Sequence, residues 1–229
     1  MKKTTFLPII LLLICFLSCK KSSTEGTADQ FMSFTVGSSW NYQQTTNPSS
    51  ATPTISNYTL TCSATDTIIN TKNYKKFNNS NGQTEYYNVT GNDYYTYLKL
   101  PDFLGGTRVE NIYLKTNEAA GASWVQTYPV TVSGLALTLT LTNTLQDVGV
   151  SRTVNSIAYT NVAHVKTAFT VAGIPAFITY TLSTDIHYYY APKVGQIENS
   201  QKINFTTTAP GVAPVNFDQQ LKLMSSTIL

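Results

Sequence analysis

The 229-residue chain carries 15 basic and 12 acidic residues, a formal charge of +3, which is too little for the phosphate-neutralising face that nucleic-acid binding requires. Hydrophobic residues make up 42% and charged residues only 12%, so enough apolar surface is available to offset ordering entropy, and a chain disordered throughout is excluded. The length suits one sizeable β domain, and three cysteines are too few for a disulfide-rich scaffold.

Lys2 and Lys3 precede an apolar run from Phe6 to Leu17. This run is shorter than the roughly 20 residues of a membrane-spanning helix and has the order of a secretory signal. Its end, Phe16-Leu17-Ser18-Cys19, resembles the lipobox of bacterial lipoproteins, with Phe16 standing where Leu is usual. The resemblance implies that residues 1–18 are a signal peptide and that Cys19 is acylated with chains of the palmitate type and becomes the first mature residue. Cys15 follows the branched Ile14 inside the apolar run and reads as filler. Several acyl chains at Cys19 would make the membrane a partner, since each buried CH₂ contributes about 0.8 kcal/mol. Cys62 is then left without a disulfide partner.

Residues 19–30 have no apolar period and read as a flexible tether reaching roughly 20 Å. Lys20 and Lys21 occupy the places where Bacteroidota surface lipoproteins carry an acidic export run, which implies an outer-membrane anchor facing the periplasm. The remainder, 31–229, reads as a single antiparallel β domain.

Trp40 and Tyr42 sit two apart and share a face of the first strand, and Tyr58, Leu60, Cys62 and Ala64 alternate in the next. Strands are expected at 74–78, 84–89 and 94–100, separated by Asn79-Ser-Asn-Gly82 and Thr90-Gly91-Asn92-Asp93, whose residues tolerate positive φ. A further strand covers 107–115, a short helical turn is expected within 117–122, and Trp124 opens the next strand. Leu135, Leu137, Leu139 and Leu141 alternate with small and hydroxylated residues and predict one buried face. Strands follow at 148–154, 161–171, 176–191 with a bend near Thr184-Asp185, 196–205 and 215–223. Consecutive strands without crossover helices predict an all-β antiparallel meander forming a curved open sheet or half-barrel, with a two-sheet sandwich as the alternative.

Gly37-Ser-Ser-Trp40-Asn-Tyr42, Gly121-Ala-Ser-Trp124, Tyr159-Thr-Asn-Val162 with His164-Val165, and Tyr188-Tyr-Tyr190-Ala-Pro-Lys-Val-Gly195 occur in an order that resembles Bacteroidota lipoproteins of uncharacterised all-β type. The resemblance implies a curved antiparallel sheet in the cell envelope and carries no activity.

No G-x-S-x-G, P-loop or G-x-G-x-x-G stands in the sequence, and His164 and His187 form no H-x-H or H-E-x-x-H spacing, so no catalytic residue, metal site or cofactor is assigned. By strand parity His164 shares a face with Val162 and Lys166. The runs Tyr86-Tyr87, Tyr94-Tyr95-Thr96-Tyr97 and Tyr188-Tyr189-Tyr190 place rings on both faces of their strands, one of them free for a ligand or partner. The candidate contact aromatics are Trp40, Tyr42, Tyr95, Tyr97, Trp124, Tyr188 and Tyr190. The expected function is binding or carrying an apolar lipid or glycan ligand; the alternatives are a structural module of an envelope complex and, third, an envelope hydrolase using carboxylates that the fold brings together.

Overall fold

The computed structural model describes residues 30–209 and 212–229. The signal segment, Cys19 and the tether as far as residue 29 lie outside the described residues. Twelve strands follow in chain order. The first six are β1 (Ser39–Thr46), β2 (Thr54–Ile69), β3 (Lys72–Asn79), β4 (Thr84–Thr90), β5 (Asp93–Lys99) and β6 (Arg108–Lys115). The others are β7 (Ser123–Val132), β8 (Leu135–Val154), β9 (Ile157–Ala172), β10 (Tyr180–Ala191), β11 (Gly195–Thr207) and β12 (Val215–Thr227).

Each strand pairs antiparallel with its chain neighbours, except that β6 and β7 share no ladder and β1 pairs with β12. The result is one sheet curled until its two edges meet, a nearly closed barrel, and the two-sheet sandwich is not formed. Short local connections enforce this order. Asn70-Thr71, Ser133-Gly134 and Asn155-Ser156 each carry two consecutive positive φ values, the geometry whose twist matches a two-residue hairpin.

Three structural expectations need correction. The residues 117–122 form turns, and the helical element among the described residues is a single 3₁₀ turn at Asp102–Leu104. The separate strands expected at 135–142 and 148–154 are one 20-residue strand, β8, whose register with β9 slips between Leu145 and Arg152. Gly149, at φ 76°, takes up the slip in a conformation that a residue with Cβ adopts poorly, so the ladder bulges instead of ending. A similar slip between Cys62 and Asp66 turns Ala64 out to solvent, away from the buried face it was expected to share with Leu60 and Cys62.

Side chains close the seam between β6 and β7. Trp124 Nε1 donates to the Ile112 carbonyl at 2.7 Å, and the Ile112 N–H donates to Gln126 Oε1 at 2.7 Å. The Tyr128 hydroxyl donates to the Glu110 carbonyl at 2.6 Å, and Asn143 Nδ2 reaches the Ile112 carbonyl at 3.0 Å. The Glu110 carbonyl and both backbone groups of Ile112, on the free edge of β6, thereby find partners without a neighbouring strand. The connection from β5 to β6 crosses onto β7, where a Cβ at Gly105 would lie 2.7 Å from the Thr131 carbonyl oxygen; only glycine fits.

Barrel diameter grows with strand number, and about eight strands already leave room for core side chains or one small ligand. Twelve strands therefore need large rings inside. Trp40, Tyr42, Phe77, Tyr94 and Tyr190 supply them, with Leu137, Leu139, Leu141, Phe169 and Ile203 on the other side of the interior. One rim is stoppered by the segment before β1. Phe31 and Met32 are buried there, the Phe31 N–H donates to the Tyr94 hydroxyl, and the Lys193 N–H donates to the Gln30 carbonyl.

Candidate functional site

The interior is not filled completely. A cavity of about 410 Å³, within the size range of small-molecule sites, runs along the barrel. Its lining begins at the stoppered rim with Met32 and Val194 and ends at Gln83, Lys99, Pro101 and Arg108, which belong to the hairpins of the opposite rim. Met32 is buried, whereas those four are exposed, so the cavity opens away from the rim where the chain comes in. A second, wholly apolar niche of about 40 Å³ lies among Phe103, Leu104, Leu137, Phe169, Ile174 and Leu182.

Alternation along the strands delivers the rings. Trp40 and Tyr42 project inward from β1, and Tyr188 and Tyr190 project inward from β10 with rings stacked at 6.3 Å. Tyr113 packs on Tyr190 at 5.2 Å and meets Tyr87 at 6.0 Å edge-on, while Tyr42 lies 5.4 Å from Tyr58. Trp40 Nε1 donates to the Val194 carbonyl, and the Tyr42 hydroxyl donates to the Gln196 carbonyl at 2.9 Å, which holds both rings upright. Burial raises the phenol pKa of Tyr42, Tyr87, Tyr113 and Tyr190, and pushes that of Tyr188 up to about 12. All five are neutral hydroxyls at physiological pH, able to donate as well as accept.

Polar groups on the wall are few and mostly engaged. Glu85 accepts from the Tyr87 hydroxyl at 2.6 Å and from Asn79 Nδ2 at 3.1 Å. Among the described residues it is the one carboxylate on the lining, so these residues do not assemble there the acid–base pair that glycoside hydrolysis uses. Asn143 accepts from the Thr167 hydroxyl at 2.6 Å, which fixes its amide beside the seam. Arg108 and Lys99 stand at the mouth, with Lys99 paired to Asp102 at 2.8 Å. The site can hold a largely uncharged molecule with ring faces and apolar parts against Tyr and Leu side chains, and orient it by phenol and amide contacts.

Of the seven candidate aromatics, Trp40, Tyr42, Tyr97, Tyr188 and Tyr190 line the cavity. Tyr95 stands on the outer face, where the Lys72 ammonium sits 4.6 Å over its ring. Trp124 is buried at the seam. The lining residues that parity reasoning passed over are Tyr58, Tyr87 and Tyr113. Tyr113 shares the parity of Val109 and Asn111, which also face the interior, but with polar Asn111 on that parity and apolar Ile112 and Leu114 on the other, alternation in the sequence does not mark the inward face.

His164 and His187 lie outside the barrel and bond each other at 2.8 Å. Val162 does not accompany His164 as parity predicted: it is fully buried, because β9 carries a positive-φ Asn161 and slips register against β8 just there. Cys62 is buried and burial raises its thiol pKa, the signature of an inert core sulfhydryl.

No protein-family model matches the chain, and no curated protein matches it. A candidate lipoprotein from Parabacteroides distasonis ATCC 8503, known from a crystal structure, shares the fold with a TM-score of 0.51 at 11% identity; the match covers 87% of this chain and 99% of that one.

Proposed function

We propose that the chain is a non-catalytic lipoprotein of the cell envelope, anchored through acylated Cys19, whose barrel binds or carries an uncharged apolar or glycan ligand. The open interior cavity of about 410 Å³, walled by tyrosine rings and leucines, carries this reading. The fold shared with a candidate lipoprotein of a Bacteroidota species supports it, as does the lipobox-like Phe16-Leu17-Ser18-Cys19. The signal peptide spans 1–18, the tether 19–30 joins the anchor to the stoppered rim, and the mouth is at the far rim. Lys20 and Lys21 favour an outer-membrane anchor facing the periplasm.

Mass spectrometry of organic extracts from the full-length chain purified in detergent tests the ligand. A lipid or glycan recovered from wild type and lost from Tyr190→Ala is the expected result. Equal recovery from both, or nothing recovered together with no uptake of the neutral apolar dye N-phenylnaphthylamine, overturns it. Replacing Cys19 with Ala tests the anchor: acyl-chain labelling disappears and the precursor stays uncleaved, whereas labelled mature protein would refute acylation at that residue.

One observation favours the structural-module alternative. Phe177, 83% exposed, stands on the connection between β9 and β10 at the open rim, where an envelope partner could cover it.

A further inference from the structure

On the outer face four side chains form an unbroken chain across three strands. Asp147 of β8 lies 2.9 Å from His164 Nδ1, His164 Nε2 lies 2.8 Å from His187 Nδ1, and His187 Nε2 lies 2.9 Å from Asp185. The two imidazole centroids are 5.1 Å apart, a separation that a 2.8 Å N···N contact reaches only if the two nitrogens point straight at each other. A shared metal ion needs nitrogens converging on one point from different directions. These do not converge, so what lies between them is a proton.

Counting protons fixes the charge. Ionised carboxylates only accept, so His164 Nδ1 and His187 Nε2 must each carry hydrogen. The central contact needs one more. Three protons on four nitrogens is a pair bearing a single positive charge. With two protons one of the three bonds is lost, and with four the central N–H groups collide.

The pair sits at a fork. β9 and β10 are paired from Ala163↔Tyr190 to Thr167↔Ile186 and no further, although β10 continues to Tyr180 and β9 to Ala172. His164 and His187 span the paired segment diagonally just below the point of parting, and the inward neighbours Ile186 and Tyr188 line the cavity. We propose that the His164–His187 pair is a one-proton rivet that holds β9 to β10, so that a second proton releases it and lengthens the fork along the cavity wall. This regulation rests on the binding function proposed above.

The surroundings fit that role. From β8, Asp147 and Arg152 face the pair; from β9, Lys166; from β10, Asp185 and Tyr189; from β11, Glu198 and Lys202. Tyr189 stacks on His164 at 4.3 Å, with the Arg152 guanidinium 3.4 Å above the far side of its ring and bonded to Glu198 at 2.6 Å. Arg152, Lys166 and Lys202 disfavour a second charge, and the two aspartates accommodate the first. Burial lowers the His164 pKa; the bond to Asp147 opposes the shift, and the charge of His187 adds to it. The lowered His164 pKa sets the second uptake: the contact is complete while the pair holds one extra proton, it is lost as pH falls through that lowered value, and above the first uptake it is short of one bond.

Imidazole NMR titration of the full-length chain in detergent, with amide hydrogen exchange along β9 and β10, tests the rivet. The expected result is two proton uptakes separated by more than about one pH unit, with exchange at Val165–Thr167 and Ile186–Tyr190 rising about tenfold or more below the lower step. His187→Gln, which keeps a hydrogen-bonding side chain but cannot titrate, should abolish that rise. Coincident titration of both rings, flat exchange in wild type, or an unchanged pH response in the variant each overturns the rivet. Split titration and pH-dependent exchange, with no lipid or glycan recovered from the chain and no uptake of N-phenylnaphthylamine at any pH, would support the rivet and overturn the binding function instead.

Discussion

Between β1 and β12 the barrel closes through backbone, in rungs from Ser39↔Thr227 to Thr46↔Gln219. Between β6 and β7 it closes through Trp124, Gln126, Tyr128 and Asn143, which reach the backbone groups of Glu110 and Ile112. A backbone ladder is nearly indifferent to which side chains it carries, because every residue except proline brings its own donor and acceptor. The side-chain seam depends on four particular residues. Sensitivity to substitution should therefore be concentrated at the seam.

Equilibrium denaturation would sharpen or break that contrast. Trp124→Ala removes a buried ring and its bond to Ile112 and should cost about 3–5 kcal/mol. Asn143→Ala leaves the Thr167 hydroxyl and the Ile112 carbonyl short of a partner in a buried site, for about 1–3 kcal/mol. Tyr128→Phe deletes one hydroxyl bond to the Glu110 carbonyl and should cost about 1 kcal/mol. Thr45→Ala, on the β1–β12 ladder, keeps every rung and should stay within about 0.5 kcal/mol of wild type. If Thr45→Ala proved as damaging as Tyr128→Phe, the two closures would not differ as described.

The same distinction explains what could be read from the sequence. Patterns of period two were legible: Trp40 with Tyr42, the leucines of β8, and Tyr188 with Tyr190 all lie on the faces that alternation assigned. So was the succession of hairpins, because Asn and Gly announce turns locally. Strand continuity through a bulge was not, since Gly149 reads equally well as a break. Tyr95 and Tyr97 share parity along β5; Tyr95 stands outside beneath Lys72, whereas Tyr97, whose ring meets Tyr74 and Tyr86, borders the cavity near its open rim. The seam and the histidine pair were the least legible. His164 and His187 are 23 residues apart, and their meeting depends on the register of β9 against β10, which no local spacing records.

The stoppered rim also has a mechanical consequence. Gln30, Phe31 and Met32 are held there by the Lys193 N–H, the Tyr94 hydroxyl and the packing of two side chains. A load drawn on the N-terminus meets these few attachments in series, ahead of the Gly37 and Cys62 backbone bonds and the rungs of β1. Tension would draw out the cavity floor like a cork on a string while the strands stayed zipped, so the plug at this rim is the part of the cavity wall that yields first to a pull.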